Sequence, residues 1–313
     1  MRLLTVLREI RTLPRLGMAA TLAAVLAAAQ PAGAADSIEA VDPDHLRVCG
    51  EPDNLPYSNE KGEGFQNKIA ELFAKDLGRP LIYTWHPLGG AFFDQTLNQK
   101  ACDLVMGVPA GLQAVLSTNP YYRMTYVMAY RKDSGIKAQS LSDPAMKKLK
   151  IGTVAGTPPN FLLAENDLLS NMKGYQLISE AQWMIVGKQM AEDLKSKVID
   201  VALMAGPVAG YWLKQEKVEA VTIPLENAKR RGGRMDYLIT MGVRLGEDDW
   251  KHQINDLIKR NQPKINEILA SYGIPVLKMV GAPEPVEAPA KEAPAKTKGA
   301  AEKGASQTQA PPE

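Results

Sequence analysis

The chain has 313 residues, of which 45% are apolar, 23% charged and 6% aromatic. That leaves room for two globular lobes and excludes collagen, a wholly unfolded chain and a polytopic membrane protein. The formal charge of +2 lies in the first 34 residues, where Arg2, Arg8, Arg11 and Arg15 face Glu9; without them 33 bases meet 34 acids, so no basic surplus points to nucleic acid.

The N-terminus reads as a secretory signal. An Arg-bearing stretch runs to Arg15, an apolar run follows from Met18 to Ala29, and Ala32-Gly33-Ala34 offers a small-residue cleavage site before Ala35. The apolar run is about a dozen residues, short of the ~20 that span a bilayer. Export to the periplasm is therefore expected, with residues 1–34 removed and no membrane span in the mature protein.

Elements then follow in alternation. Leu46-Arg-Val-Cys49 predicts a short strand, and Glu51 to Gly64 a turn-rich segment. Phe65, Ile69, Leu72, Phe73 and Leu77 share one helical face that Gly78 ends. Leu81–Trp85 is the next strand, a helix is expected from Phe92 to Asn98, and Asp103–Gly107 is a continuous apolar strand. Such strands between helices imply parallel pairing buried on both faces. The pattern restarts after the strand Thr125–Tyr130, with Lys150–Val154 and Val198–Met204 as strands and a helix from near Pro207. Asp236–Arg244 is long enough to cross between lobes. The last helix presents Ile254, Leu257, Ile258, Ile265, Ile268 and Leu269; Pro263 is expected to kink or divide it and Gly273 to end it. From Gly281 the repeat Glu287-Ala-Pro-Ala-Lys291, Glu292-Ala-Pro-Ala-Lys296 leaves little apolar bulk to bury, so residues 281–313 are expected to be a disordered tail.

Two α/β series joined by two extended segments predict an α/β architecture of two lobes. Lobe 1 is discontinuous, 35–130 plus 242–280; lobe 2 is 131–241. Each lobe is expected to have its own parallel-rich sheet with helices on both faces, and two hinge strands to let the cleft open and close. Ligands of open α/β sheets sit beyond the carboxyl ends of the strands. The candidates there are Asp53, Asn54, Tyr57 and Trp85, then Val108, Pro109 and Tyr121, and on the second lobe Gly156, Thr157, Ala205 and Gly206. Asp53 and Asn54 also suit plain turn capping, and the prolines after Thr157 remove donors an anion would need.

Three histidines and two cysteines carry no metal-ligand spacing, and no acid–nucleophile pair accompanies His45, His86 or His252, so no metal, no cofactor and no catalytic residue are expected. Cys49 and Cys102 would meet an oxidising compartment and could bridge. Against that, one lies late and the other early in parallel strands, a register that separates them. Lys229, Arg230, Arg231 and Arg234 form a basic loop that is either a solvated turn or a docking surface.

Four segments in order, Leu46-Arg-Val48, Gly64-Phe65 with Ile69-Ala70, Cys102–Gly107 and Pro120-Tyr-Tyr122, resemble the polar-amino-acid receptors among periplasmic solute-binding proteins (family 3), whose fold is the two-lobe, type II binding-protein fold. A narrower resemblance rests on Arg47–Phe65, Ala101–Gly111, Asn119–Arg123 and Ile268–Gly273, which look like the quinoprotein-dehydrogenase-associated MoxJ/XoxJ proteins. That resemblance implies a periplasmic, non-catalytic accessory in methanol oxidation that assists assembly or activation of a methanol dehydrogenase using pyrroloquinoline quinone (PQQ). The basic loop would then dock an acidic dehydrogenase surface. The alternative is the extracellular receptor of an ABC transporter for a small, non-amino-acid solute.

Amino-acid receptors clamp the substrate carboxylate with an Arg and its amino group with an Asp. Here Val108–Leu116 has no base, and Ala205 stands where the acid would be. A buried zwitterion would go uncompensated, so the cleft is expected to take a small apolar or weakly polar ligand, a partner's side chain or nothing.

Overall fold

The computed structural model describes residues 40–176, 183–225 and 235–279. The signal segment, the tail and the basic loop of Lys229, Arg230, Arg231 and Arg234 lie outside the described residues.

The first strands and helices are β1 (Leu46–Gly50), the short β2 (Asp53–Asn54) and β3 (Ser58–Asn59), α1 (Phe65–Leu77), β4 (Leu81–Trp85), α2 (Phe92–Gln95), β5 (Leu104–Pro109) and β6 (Leu116–Ser117). Next come β7 (Tyr122–Arg131), β8 (Ile151–Val154), α3 (Pro159–Glu165), β9 (Met172–Tyr175), α4 (Trp183–Lys195), β10 (Val201–Ala205), α5 (Gly206–Gln215), β11 (Ala220–Pro224), β12 (Asp236–Val243) and α6 (Asp248–Ser271). β1 pairs in parallel with β4 and β5, and β8 in parallel with β10 and β9.

The two parallel groups lie in two sheets that share β7. Through that strand they run on as one ten-stranded order, β4-β1-β5-β12-β7-β10-β8-β9, with β6 on β12 and β11 on β7. The reason is the length of β7. Its first residues, Tyr122–Thr125, pair antiparallel with β12, and Tyr126–Tyr130 pair antiparallel with β10.

Apolar burial nevertheless falls into distinct clusters. One gathers Leu46, Phe65, Ile69, Phe73 and Leu104 with Trp250, Ile254 and Leu257 of α6. Another gathers Met128, Ile151, Leu163, Met190, Ile199 and Leu203. A smaller third packs Cys49, Phe92, Leu97, Cys102, Val105, Val108 and Val115. The 3.6-residue spacing of α1 explains its part: Phe65, Ile69 and Phe73 fall on one face and are fully buried.

One helix keeps a proline inside it and another is shorter than expected. Pro263 lies inside α6, which continues past it undivided. Proline removes the hydrogen bond to the carbonyl four residues back, but both Pro263 and Lys259 are exposed, so water can serve that carbonyl. α2 stops at Gln95 rather than Asn98. Thr96 leaves helical geometry (φ −125°, ψ −82°) and its hydroxyl donates to the Phe92 carbonyl at 2.6 Å.

Candidate functional site

A cavity of about 280 Å³ opens beyond the carboxyl ends of β1 and β5. β1 brings Cys49 and Gly50 and is followed directly by Glu51; the β2–β3 turn adds Asn54, Tyr57 and Ser58. β5 contributes Val105 to Pro109, and α2 contributes Phe92 and Phe93. Tyr122, Met124 and Tyr126 alternate along β7, which aims all three at one side of the strand. Ile239 of β12 and Ala205 at the end of β10 complete the wall. Gly107 has φ +75°, and a methyl there would fall 2.1 Å from the Gln66 amide nitrogen; the missing side chain is what lets Gln66 reach the lining.

Among the described residues that line this cavity, Glu51 is the one charged group and none is basic. Glu51 is 4% exposed. The Leu88 N–H donates to its carboxylate, and the Ser58 hydroxyl donates to its backbone carbonyl at 2.8 Å. Burial pushes the Glu51 carboxyl above its ordinary value, against the opposing pull of the Leu88 and Asp53 backbone N–H groups. Asn54 is also buried, and its Oδ1 has no hydrogen-bond partner. Burial raises the phenols of Tyr57, Tyr122 and Tyr126, so all three stay neutral hydroxyls. The site therefore offers an apolar and aromatic wall with two acceptors, Glu51 and Asn54. It can hold a donor-bearing apolar group, and among the described residues of its lining there is no cation to pair with a carboxylate.

Of the residues expected from sequence, Asn54, Tyr57, Val108, Pro109 and Ala205 line the cavity. Asp53 is exposed beside it. Trp85 stacks on Tyr83 at 4.4 Å and covers Gly50 from the outside. Tyr121 is fully buried in the core cluster of β1 and α6. Gly206 packs against the Thr125 carbonyl. Thr157 lines a separate small void of about 10 Å³ with Tyr126, Val186, Met204 and Val208. Its hydroxyl donates to the Val154 carbonyl at 2.6 Å. With the Asn160 amide turned to donate to Thr153 Oγ1, its carbonyl oxygen accepts from the Gly156 N–H at 2.8 Å. The donors of that turn are thus used internally, which leaves no anion cradle at Gly156 and Thr157.

Glu51, Gln66, Phe92, Phe93, Tyr122, Met124 and Tyr126 escaped the sequence reading. The alternation of Tyr122, Met124 and Tyr126 was the available signal. Glu51 had one too, being the first residue past a buried strand.

Cys49 and Cys102 are joined as a disulfide with Cα atoms 5.5 Å apart. Strand register does not separate the two, because Cys102 lies in the loop before β5, which begins at Leu104. An ionic network holds the loop before β5 in place. The Asp103 carboxylate accepts from Arg47 Nη2 at 2.7 Å and Arg244 Nη2 at 2.5 Å. Arg47 also donates to the Lys100 carbonyl at 3.0 Å, and Arg244 to the carbonyls of Leu97 and Cys102. Among the described residues no group of three or more His, Cys, Asp or Glu side chains could hold a metal ion. His86 bonds Gln95 and the Pro87 carbonyl, not an acid.

The family of bacterial extracellular solute-binding proteins, family 3, matches residues 46–274. Protein MoxJ of Methylorubrum extorquens is 29% identical over 281 residues, 83% of this chain and 93% of that protein. The crystal structure of the periplasmic binding protein XoxJ from Methylobacterium extorquens AM1 is 35% identical with a TM-score of 0.62, covering 74% of this chain and 99% of that one. That of MxaJ from Methlophaga aminisulfidivorans MPT is 26% identical with a TM-score of 0.64, covering 74% and 100%.

Proposed function

We propose that this chain, which belongs to the bacterial extracellular solute-binding proteins of family 3 and within them to the MoxJ/XoxJ group, is a non-catalytic periplasmic accessory that assists assembly or activation of a PQQ-dependent methanol dehydrogenase. The observation that carries this reading is the absence of any base among the described residues lining the cavity, with Ala205 at the second strand end. A receptor for free amino acids needs both charges, since an unpaired ion taken out of water is strongly unfavourable. The wall left behind suits an apolar side chain or small apolar ligand with a hydrogen-bond donor for Glu51 and Asn54.

The signal at the N-terminus, with cleavage after Ala34, supports export. The separate core clusters support two lobes, 35–130 with 242–280 and 131–241, with β7 and β12 as the crossing strands. Deleting the gene should lower PQQ-dependent methanol dehydrogenase activity in the periplasm, and a plasmid copy should restore it. Unchanged activity would reject the accessory role.

A second reading, a transport receptor for a small non-amino-acid solute, is favoured by the cavity itself, which keeps two buried acceptors, Glu51 and Asn54. Calorimetry separates the two. The accessory reading expects no micromolar binding of amino acids or other common small metabolites.

A further inference from the structure

A second concavity, of about 490 Å³, lies at the other end of the β8–β9 strand pair, and its rim is cationic. Lys147, Lys148 and Lys150 come from the segment that leads into β8, and Lys173 from β9. Asn171 locks the two segments together, its side-chain amide donating to the carbonyls of Lys147 at 2.8 Å and Leu149 at 3.1 Å. The lysines therefore converge because the backbone beneath them is fixed.

Their charge is poorly offset. Lys173 pairs with Asp193 at 2.6 Å. Asp200 accepts from the Lys150 backbone N–H at 2.9 Å and Asp143 from the Ala145 N–H, so both keep their negative charge near the rim but pair with none of its ammonium groups. Lys147, Lys148 and Lys150 form no ion pair with a described carboxylate, and all three side chains are exposed. Val198 on the wall is 42% exposed, and Leu169, next in sequence to Ser170 of the lining, is 52% exposed. Ammonium groups without an ion-pair partner among the described carboxylates, next to exposed aliphatic carbon, suit a partner that supplies carboxylates and apolar contact together. A protein surface does so and a free inorganic anion does not. Lysine, a flexible point charge, contributes to steering and orientation at such a rim more than to tight anion capture.

We infer that the concavity of Lys147, Lys148, Lys150 and Lys173 is a docking surface for an acidic patch on a partner protein. The partner's identity rests on the accessory reading, which makes it the dehydrogenase. The N-terminal ends of β8 and β9 carry the patch, whereas the cavity lies beyond the carboxyl ends of β1 and β5.

The test compares the mature protein with Lys147→Glu/Lys148→Glu/Lys150→Glu and the milder triple Gln variant, each checked for folding by circular dichroism and thermal melting. Lys173 is left in place because it pairs with Asp193. Binding to the purified holo-dehydrogenase is measured at about 20 and about 200 mM salt, where screening differs strongly. Wild type should weaken about tenfold across that range. The Glu variant should bind at least about tenfold more weakly at low salt, and the Gln variant should lie between with a flatter salt response. Equal binding by wild type and a folded variant would overturn the docking surface while leaving the accessory reading intact. Failure of wild type to bind at either salt would overturn both. Lysine-dependent binding to phosphatidylglycerol vesicles, with no lysine dependence toward the dehydrogenase, would overturn it in favour of a membrane surface.

Discussion

Gly210 of α5 and Gly273, just past the end of α6, meet backbone to backbone. A methyl group on Gly210 would fall 2.0 Å from the Gly273 carbonyl oxygen, and one on Gly273 would fall 2.6 Å from the Gly210 oxygen. The contact is supported on both sides, by the stack of Tyr211 on Tyr272 at 6.0 Å and by Lys214 Nζ donating to the Ser271 carbonyl at 2.8 Å. It ties α5 of one core cluster to the end of the helix that closes the other.

Gly210→Ala should therefore be costly although alanine is the better helix former. The backbone cannot yield as a flexible side chain would, and overpacking of this kind costs about 1–3 kcal/mol. Urea unfolding should show the loss as a lower midpoint. A neutral or stabilising result would mean that the helices separate freely.

The Cys49–Cys102 bridge closes a loop across 53 positions, for which chain entropy gives up to ~4 kcal/mol. Thiol titration of the unfolded, unreduced protein should find no free thiol. Cys49→Ser/Cys102→Ser should still fold, because the Arg47–Asp103–Arg244 network holds the loop independently, but should melt at lower temperature. Two titratable thiols would contradict the bridge.

Much of the fold was legible in the chain. The run Val-Ala-Leu-Met-Ala of β10 is buried at every position, and the face of α1 reads directly from its spacing. The cavity was less legible, for reasons of local geometry. Tyr121 and Tyr122 are neighbours and both are buried in the same core cluster, yet only Tyr122, the first residue of β7, also lines the cavity, which spacing alone does not reveal. Trp85 ends the right strand but lies over Gly50, and only the contact shows that. The pairing of Cys102 was obscured because its position depends on Arg47 and Arg244, from distant parts of the sequence.

Asp76 gives the acid limb a marker. The Arg260 guanidinium, at 2.8–3.1 Å, and the Asn261 amide, at 2.5 Å, pull its carboxyl down to about 2 from an ordinary 3.8. A depressed carboxyl stabilises the fold above its unfolded value and loses that contribution as pH falls from about 4 through about 2. Arg260 is substantially exposed, so the contribution is small and screened by salt. Asp76→Asn should flatten the stability curve in that window and lower stability slightly at pH 7, with the difference from wild type vanishing below about pH 2. An NMR titration of Asp76 with its midpoint near 4 would contradict the pairing.

Glu51 has the opposite sign. Burial raises its carboxyl, so ionising it opposes folding, and the opposition grows as pH rises through its folded value. Glu51→Gln should melt at an equal or higher temperature at pH 7, and the difference should shrink below its ordinary value of 4.5. A large loss of stability in the Gln variant at neutral pH would show that the ionised carboxylate is a structural anchor rather than an acceptor held for a ligand.

Affinity isolation of the tagged protein from the periplasm of its own producer, grown on methanol, tests the central claim most directly. The account predicts co-elution of the PQQ-dependent dehydrogenase and no retained amino acid in the eluate. A dehydrogenase-free eluate carrying one tightly held polar solute per chain would contradict it.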